Sequence, residues 1–127
     1  MLEIQYVMVK NVVTAKEDIV IEKAIEILYK KHIGSIVVID DQKKCVGIFT
    51  ERDAIRVVAQ KIPLDTPLSK VMTKHVITIK EDATFEAARR LIVSNKIRHL
   101  PVVDKQGTLV GVFAVRSFLD KIFGLKF

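Results

Sequence analysis

The chain is poor in the residues that would mark several functional classes. It has one cysteine among 127 residues, Cys45, so no disulfide can form within it. A thiolate nucleophile needs a base and a polar setting. Cys45 instead lies in Lys44-Cys45-Val46-Gly47-Ile48-Phe49, which reads as a strand carrying a small buried hydrophobe. Only 6% of the residues are aromatic, too few for a platform on which unpaired bases would stack. No apolar run approaches the roughly 20 residues needed to cross a bilayer. The opening Met1-Leu2-Glu3-Ile4-Gln5 lacks the basic start and apolar stretch of a signal peptide, so a cytoplasmic protein is expected. The histidines His32, His75 and His99 are far apart in sequence, with no carboxylate pattern around them, so no metal site is expected. There is no glycine-rich phosphate loop and no nucleophile paired with a base, so an enzyme is not expected.

What is present is globular. Half of the residues are hydrophobic and 28% are charged, which a disordered chain would not show. The length suits one compact domain, or two halves that share a core. The formal charge of +6 raises the question of nucleic acid or anionic ligands. The 21 basic residues are, however, scattered among 15 acidic ones. Lys30-Lys31 and Lys43-Lys44 read as solvated charge rather than a binding stripe. A Lys/Glu-rich, Asn/Gln-poor composition also fits a heat-adapted protein.

The dominant feature is an internal repeat. Residues 8–53 lie over 72–117 without a gap. Met8 falls on Met72, Thr14 on Thr78, and Lys16-Glu17-Asp18 on Lys80-Glu81-Asp82. Asp40, Gly47, Phe49 and Arg52 fall on Asp104, Gly111, Phe113 and Arg116. The remaining pairs mostly exchange one aliphatic residue for another.

Each copy has the same expected elements. Val12-Val13-Thr14 and Val76-Ile77-Thr78 are short β-prone stretches. A helix follows, with Ile21, Ala24, Ile25 and Leu28 on one face in the first copy and Phe85, Ala88, Leu91 and Ile92 in the second. Asp82 or Thr84 is placed to cap the second of these. Strands are expected at Ile36–Ile39 and Cys45–Phe49, and at Leu100–Val103 and Leu109–Phe113. Their turns are Asp40-Asp41-Gln42-Lys43 and Asp104-Lys105-Gln106-Gly107. A closing helix runs from about Glu51 to Gln60, and from about Arg116 to Phe123. Gly107-x-x-x-Gly111 has the spacing of a membrane-helix dimer motif, but it flanks a strand, where Gly107 serves the turn and Gly111 permits close approach. The expected boundaries are 5–61 for the first repeat, 62–68 for a linker and 69–127 for the second repeat. Pro63 and Pro67 end the first repeat and start a short helix, Leu68–Met72. One such unit is too small to bury its sheet alone. The expected fold is therefore α/β (α+β), two β-α-β-β-α repeats packed face to face around a pseudo-twofold axis, with two equivalent clefts.

The unit resembles a CBS domain, and the chain a tandem pair of them, a Bateman module. The residues that carry the resemblance are Val7-Met8 and Val71-Met72-Thr73, Val12-Val13-Thr14 and Val76-Ile77-Thr78. With them go Lys96-Ile97-Arg98-His99-Leu100-Pro101-Val102-Val103-Asp104, Val46-Gly47-Ile48-Phe49-Thr50-Glu51-Arg52-Asp53 and Val110-Gly111-Val112-Phe113. It covers about residues 5–125. The resemblance implies a regulatory, non-catalytic module with no obligatory cofactor. Its ligand would be an adenosine compound (AMP, ADP, ATP or S-adenosylmethionine), as in energy sensing. It also implies an unidentified regulated protein as partner and a homodimer formed through the helices, with no membrane.

Thr50-Glu51-Arg52-Asp53 matches the family's Ser/Thr-x-x-Asp. The resemblance assigns Asp53 to both ribose hydroxyls and Thr50 to a phosphate or the sugar. A carboxylate has two acceptor oxygens for a vicinal diol, and a helix start favours phosphate. The same residues also form a capping-box pattern. The second copy has Ala114 and Ser117 there, so the helix start does not require the motif. The resemblance places the adenine against Ile77, Thr78, Ala83 and Ile97, and phosphates near Arg98 and His99. An Arg fork suits phosphate oxygens; the alternative is a solvated Arg and a packed His. A second, weaker cleft would rest on Thr14, Ile33 and Gly34, without a ribose carboxylate. Two other functions compete with the adenosyl sensor, namely a nucleic-acid-binding protein and a ligand-free dimerisation scaffold.

Overall fold

The computed structural model describes residues 1–125; the last two residues of the second repeat as bounded above lie outside them. Along the chain come β1 (Thr14–Ala15), α1 (Ile21–Lys31), β2 (Ser35–Ile39), β3 (Cys45–Thr50) and α2 (Glu51–Ala59). Then follow β4 (Ile79–Lys80), α3 (Phe85–Asn95), β5 (His99–Val103), β6 (Leu109–Ala114) and α4 (Val115–Ile122). The β-α-β-β-α order occurs twice, as the repeat predicts. Short 3-10 turns span Ile4–Tyr6 and Leu68–Lys70; the second replaces the expected helix through Met72.

The residues form two compact units. One is Val13–Val76; the other joins Met1–Val12 to the chain from Ile77 onward. Each holds one three-stranded sheet, ordered β1-β2-β3 or β4-β5-β6. The first pair of strands is parallel and the second antiparallel in both sheets. The first strands are only two residues long and start later than the β-prone triplets suggest. Only Thr14 of the first triplet joins its ladder, and none of Val76-Ile77-Thr78 does. A short parallel partner pairs only where the crossover helix returns it to the neighbouring strand, which β-propensity alone does not specify.

Local chemistry accounts for the hairpins and helix ends. The Asp40 Oδ1 accepts the N–H groups of Gln42 and Lys44, each at 2.9 Å. The Asp104 Oδ1 accepts those of Gln106 and Thr108, again at 2.9 Å. These side chains mimic backbone turns. The turn closes with Lys43 at φ 60° in one copy and Gly107 at φ 81° in the other. Helices α1 and α3 both end on a left-handed residue, His32 or Lys96, which stops the helix by freeing its last carbonyls for turn bonds. Thr84 caps α3 by accepting the Ala87 N–H at 3.1 Å.

Each unit buries its own core. In Val13–Val76 it is built from Ile21, Ala24, Leu28, Ile36, Val38, Phe49, Val57, Leu68, Val71 and Met72. In the other it is Ile4, Met8, Ile79, Ala88, Leu100, Val102 and Phe113. The segment around Met72 thus completes the core of the first copy, and the segment around Met8 that of the second. Thr73 bridges Ile48, and Val9 bridges Val112. The glycines explain the fit. A Cβ on Gly47 would lie 2.5 Å from the Met72 Sδ, and one on Gly111 2.5 Å from the Met8 Sδ. The compact unit is therefore a circular shift of the repeat as written in sequence: the first closes on the chain that follows it, the second on the chain's opening residues.

Candidate functional site

In the unit Val13–Val76, antiparallel pairing sets Ser35 opposite Thr50, and the Glu51 N–H donates to the Gly34 carbonyl at 3.0 Å. Because β1 runs parallel to β2, Thr14 enters its ladder from the same sheet end. Thr14, Ile33, Gly34, Thr50 and the start of α2 are thus gathered at one end of one sheet. Thr14 is exposed, Ile33 and Thr50 are half-buried, and Gly34 is buried.

Thr50 and Asp53 form a reciprocal capping box. The Asp53 N–H donates to Thr50 Oγ1 at 3.2 Å. The Thr50 N–H donates to Asp53 Oδ2 at 2.9 Å, and the Thr50 hydroxyl reaches the same oxygen at 3.2 Å. The cap draws mainly on one oxygen of the carboxylate. The group has about four lone-pair sites, and among the described residues Oδ1 meets the Arg56 Nη2, at 3.4 Å. The Asp53 side chain is 14% exposed, so its orientation is fixed by these partners rather than by solvent. Helix α4 begins at Ala114 without any side-chain cap, in line with the expectation that the motif is dispensable for starting this helix.

The other unit repeats the arrangement without the carboxylate. His99 lies opposite Ala114, and the Val115 N–H donates to the Arg98 carbonyl at 3.0 Å. Ile77 and Ile97 pack against the core, as does Ala83, in the turn between β4 and α3. The Ala83 carbonyl accepts the Ile4 N–H at 2.8 Å. Thr78 and Arg98 are exposed and His99 is half-buried.

A hollow of about 420 Å³ lies at the opposite end of the first sheet, lined by Lys16, Glu17, Asp18, Ile39, Asp40, Asp41 and Val46. It contains none of the candidate ligand-binding residues. Lys16 and Asp41 pair at 2.6 Å on its exposed rim, and this hydrogen bond, then the lysine charge, lowers the Asp41 carboxyl pKa. Cys45 is half-buried in β3, and burial raises its thiol pKa, outweighing the lowering effect of the Gly47 backbone. That shift disfavours the thiolate. Among the described residues no three His, Cys, Asp or Glu gather as a metal site, and no helix is long and apolar enough to cross a membrane.

Sequence reasoning missed Arg56. Its Nη2 donates to the Val71 carbonyl at 2.7 Å as well as facing Asp53. The available signal was its place three residues after Asp53, on the same helix face.

The fold has close counterparts. The model of the CBS domain matches residues 3–60 and 68–124. The chain belongs to the CBS domain family and carries the domain twice. It is 35% identical over 107 residues to an uncharacterised 17.7 kDa protein of Acidianus ambivalens, covering 84% of this chain and 65% of that one. It is 33% identical over 115 residues to the inosine-5′-monophosphate dehydrogenase of Methanocaldococcus jannaschii, covering 91% of this chain and 22% of the enzyme. The chain thus spans less than two thirds of these relatives. Among solved structures, the CBS domain pair of protein MJ0100, in complex with 5′-methylthioadenosine and S-adenosyl-L-methionine, superposes with a TM-score of 0.87 at 28% identity, covering 98% of this chain and 97% of that one. A CBS domain protein from Pyrobaculum aerophilum complexed with AMP gives 0.86 at 30% identity, covering 91% of this chain and 89% of that one.

Proposed function

We propose that this chain is a cytoplasmic, non-enzymatic regulatory module that binds an adenosine-containing ligand and relays its occupancy to a partner protein. In this reading Asp53 accepts the ribose hydroxyls and Thr50 supports the sugar or a phosphate. Ile77, Thr78, Ala83 and Ile97 receive the adenine, and Arg98 and His99 meet the phosphate. The observation that carries the reading is the Asp53 carboxylate, oriented by the capping box at the start of α2 with Oδ1 lightly engaged. The adenosyl ligands of the two solved CBS proteins support the choice of chemistry.

Self-association through the closing helices belongs to the same reading. Ile55 and Val58 on α2 are 71% and 61% exposed, and their repeat counterparts Leu119 and Ile122 on α4 are 46% and 61% exposed. Apolar residues exposed at matching positions suit an isologous contact.

The test is thermal melting and titration calorimetry with AMP, ATP, 5′-methylthioadenosine and S-adenosylmethionine. Saturable binding is expected, with a raised melting temperature. Asp53→Ala should weaken it about 100-fold or more, since hydrogen bonds to a charged acceptor are lost. No heat with any of the four, or an Asp53→Ala variant that binds normally, contradicts the proposal.

A further inference from the structure

Arg56 occupies an unusual junction. It sits one turn after Asp53 on α2, and its guanidinium faces three acceptors. Nη2 donates to the Val71 carbonyl at 2.7 Å and lies 3.4 Å from Asp53 Oδ1. Nη1 lies 3.4 Å from Gln60 Oε1. The contact to Val71 is short and charge-assisted, and its acceptor belongs to the segment that completes the core of this unit. Val71 is 9% exposed, and the next residue is Met72, whose sulfur fills the space above Gly47. The Thr73 N–H then donates to the Ile48 carbonyl at 3.0 Å, and the Ile48 N–H returns a bond of the same length. After Thr73 the chain runs on to Ile77 and Thr78.

The second unit has different residues at these positions. The repeat places Ser117 where Asp53 stands, Asp120 where Arg56 stands and Val7 where Val71 stands. A residue required by the fold alone would be expected in both copies, as Met8 and Met72 are. Arg56 goes instead with Asp53, in the copy that carries the carboxylate. Both contacts come from Nη2, while the rigid guanidinium plane keeps Nη1 toward Gln60; a lysine ammonium has donors but no such plane to fix their directions.

We infer that Arg56 is a positioning residue that fixes the Asp53 carboxylate for its ligand and couples its occupancy to the Val71–Thr73 segment. The inference rests on the ribose role proposed for Asp53. Ribose hydroxyls donating to Asp53 draw on the same oxygen that Arg56 faces. Ligation therefore shifts the guanidinium between the carboxylate and the Val71 carbonyl, and the backbone at Val71–Thr73 responds.

The test compares AMP with 2′,3′-dideoxyAMP, which lacks the hydroxyls that Asp53 would hold. Wild type should prefer AMP by about tenfold or more. Arg56→Met should lower that preference about fivefold, mainly through weaker AMP binding. A purely structural role would weaken both ligands alike and leave the ratio unchanged. Hydrogen exchange supplies the second readout. AMP should slow exchange of the Met72 and Thr73 amides in wild type but leave it unaltered in Arg56→Met. Should Arg56→Met fail to fold, Arg56→Lys keeps the charge without the fork and should show the same loss of preference.

Four outcomes decide the matter. An unchanged AMP preference in the folded variant, or AMP-dependent protection that persists without Arg56, overturns the inference while leaving the ligand proposal standing. Wild type that binds AMP without preferring it over the dideoxy compound removes the ribose role, and the inference with it. Wild type that binds no AMP overturns both for this ligand.

Discussion

The unit Val13–Val76 and the unit that joins Met1–Val12 to the chain from Ile77 have the same sheet order, strand register pattern and Asp-anchored turn. They differ in how they fill and finish that fold. The second core holds an aromatic trio. Phe85 and Phe113 meet edge-on at 5.9 Å, and Phe118 lies 5.2 and 5.3 Å from them. The first has Ile21 and Ala54 in the corresponding places and keeps only Phe49. The first starts its closing helix with a capping box, the second with a bare Ala114. The shared features are those that shape the backbone. The differing features are volume that can be redistributed within a core and polar groups at the sheet end. A duplicated fold thus tolerates divergence in core composition while confining the carboxylate chemistry to one copy.

Substitutions can break this comparison. The largest stability effect is expected at the two methionines. Met72→Ala and Met8→Ala should each cost about 2–5 kcal/mol, measured by urea denaturation. Similar losses would uphold equivalent roles, whereas a loss at only one would show that the units close differently. Next come the glycines beneath them. Gly47→Ala and Gly111→Ala place a methyl against the methionine sulfur and should cost about 1–3 kcal/mol each. Either variant with unchanged stability would contradict the packing described. The smallest effect sharpens the asymmetry. Thr50→Ala should cost about 1 kcal/mol, while Ala114→Thr, entering an extended N-cap position, should add up to about 1 kcal/mol. A destabilised Ala114→Thr would mean that the second helix start cannot accept a cap.

Much of this organisation is legible in the residues. Helix faces follow from the spacing of Ile21, Ala24 and Leu28, and the hairpins from Asp40 and Asp104 with their turn partners. Both signals are local, so tertiary packing had little to overrule. The short first strands were less legible, because a two-residue parallel ladder depends on the neighbouring strand. The crossing of the Met8 and Met72 segments was not read at all. It depends on contacts far apart in sequence, although the paired recurrence of Met8 with Gly111 and Met72 with Gly47 left a trace of it. At the site, the Thr50–Asp53 pattern was legible as both cap and ligand group, and the structure realises the cap. Arg56 escaped notice because its partner, the Val71 carbonyl, has no side-chain signature.

The central claim is that the fold is duplicated while its principal adenosyl site is single. Titration calorimetry of AMP into wild type, Asp53→Ala and Ser117→Ala tests it most directly. The account predicts one tight site per chain in wild type, its loss in Asp53→Ala and its retention in Ser117→Ala. Two equally tight sites, or equal losses in the two variants, would contradict it.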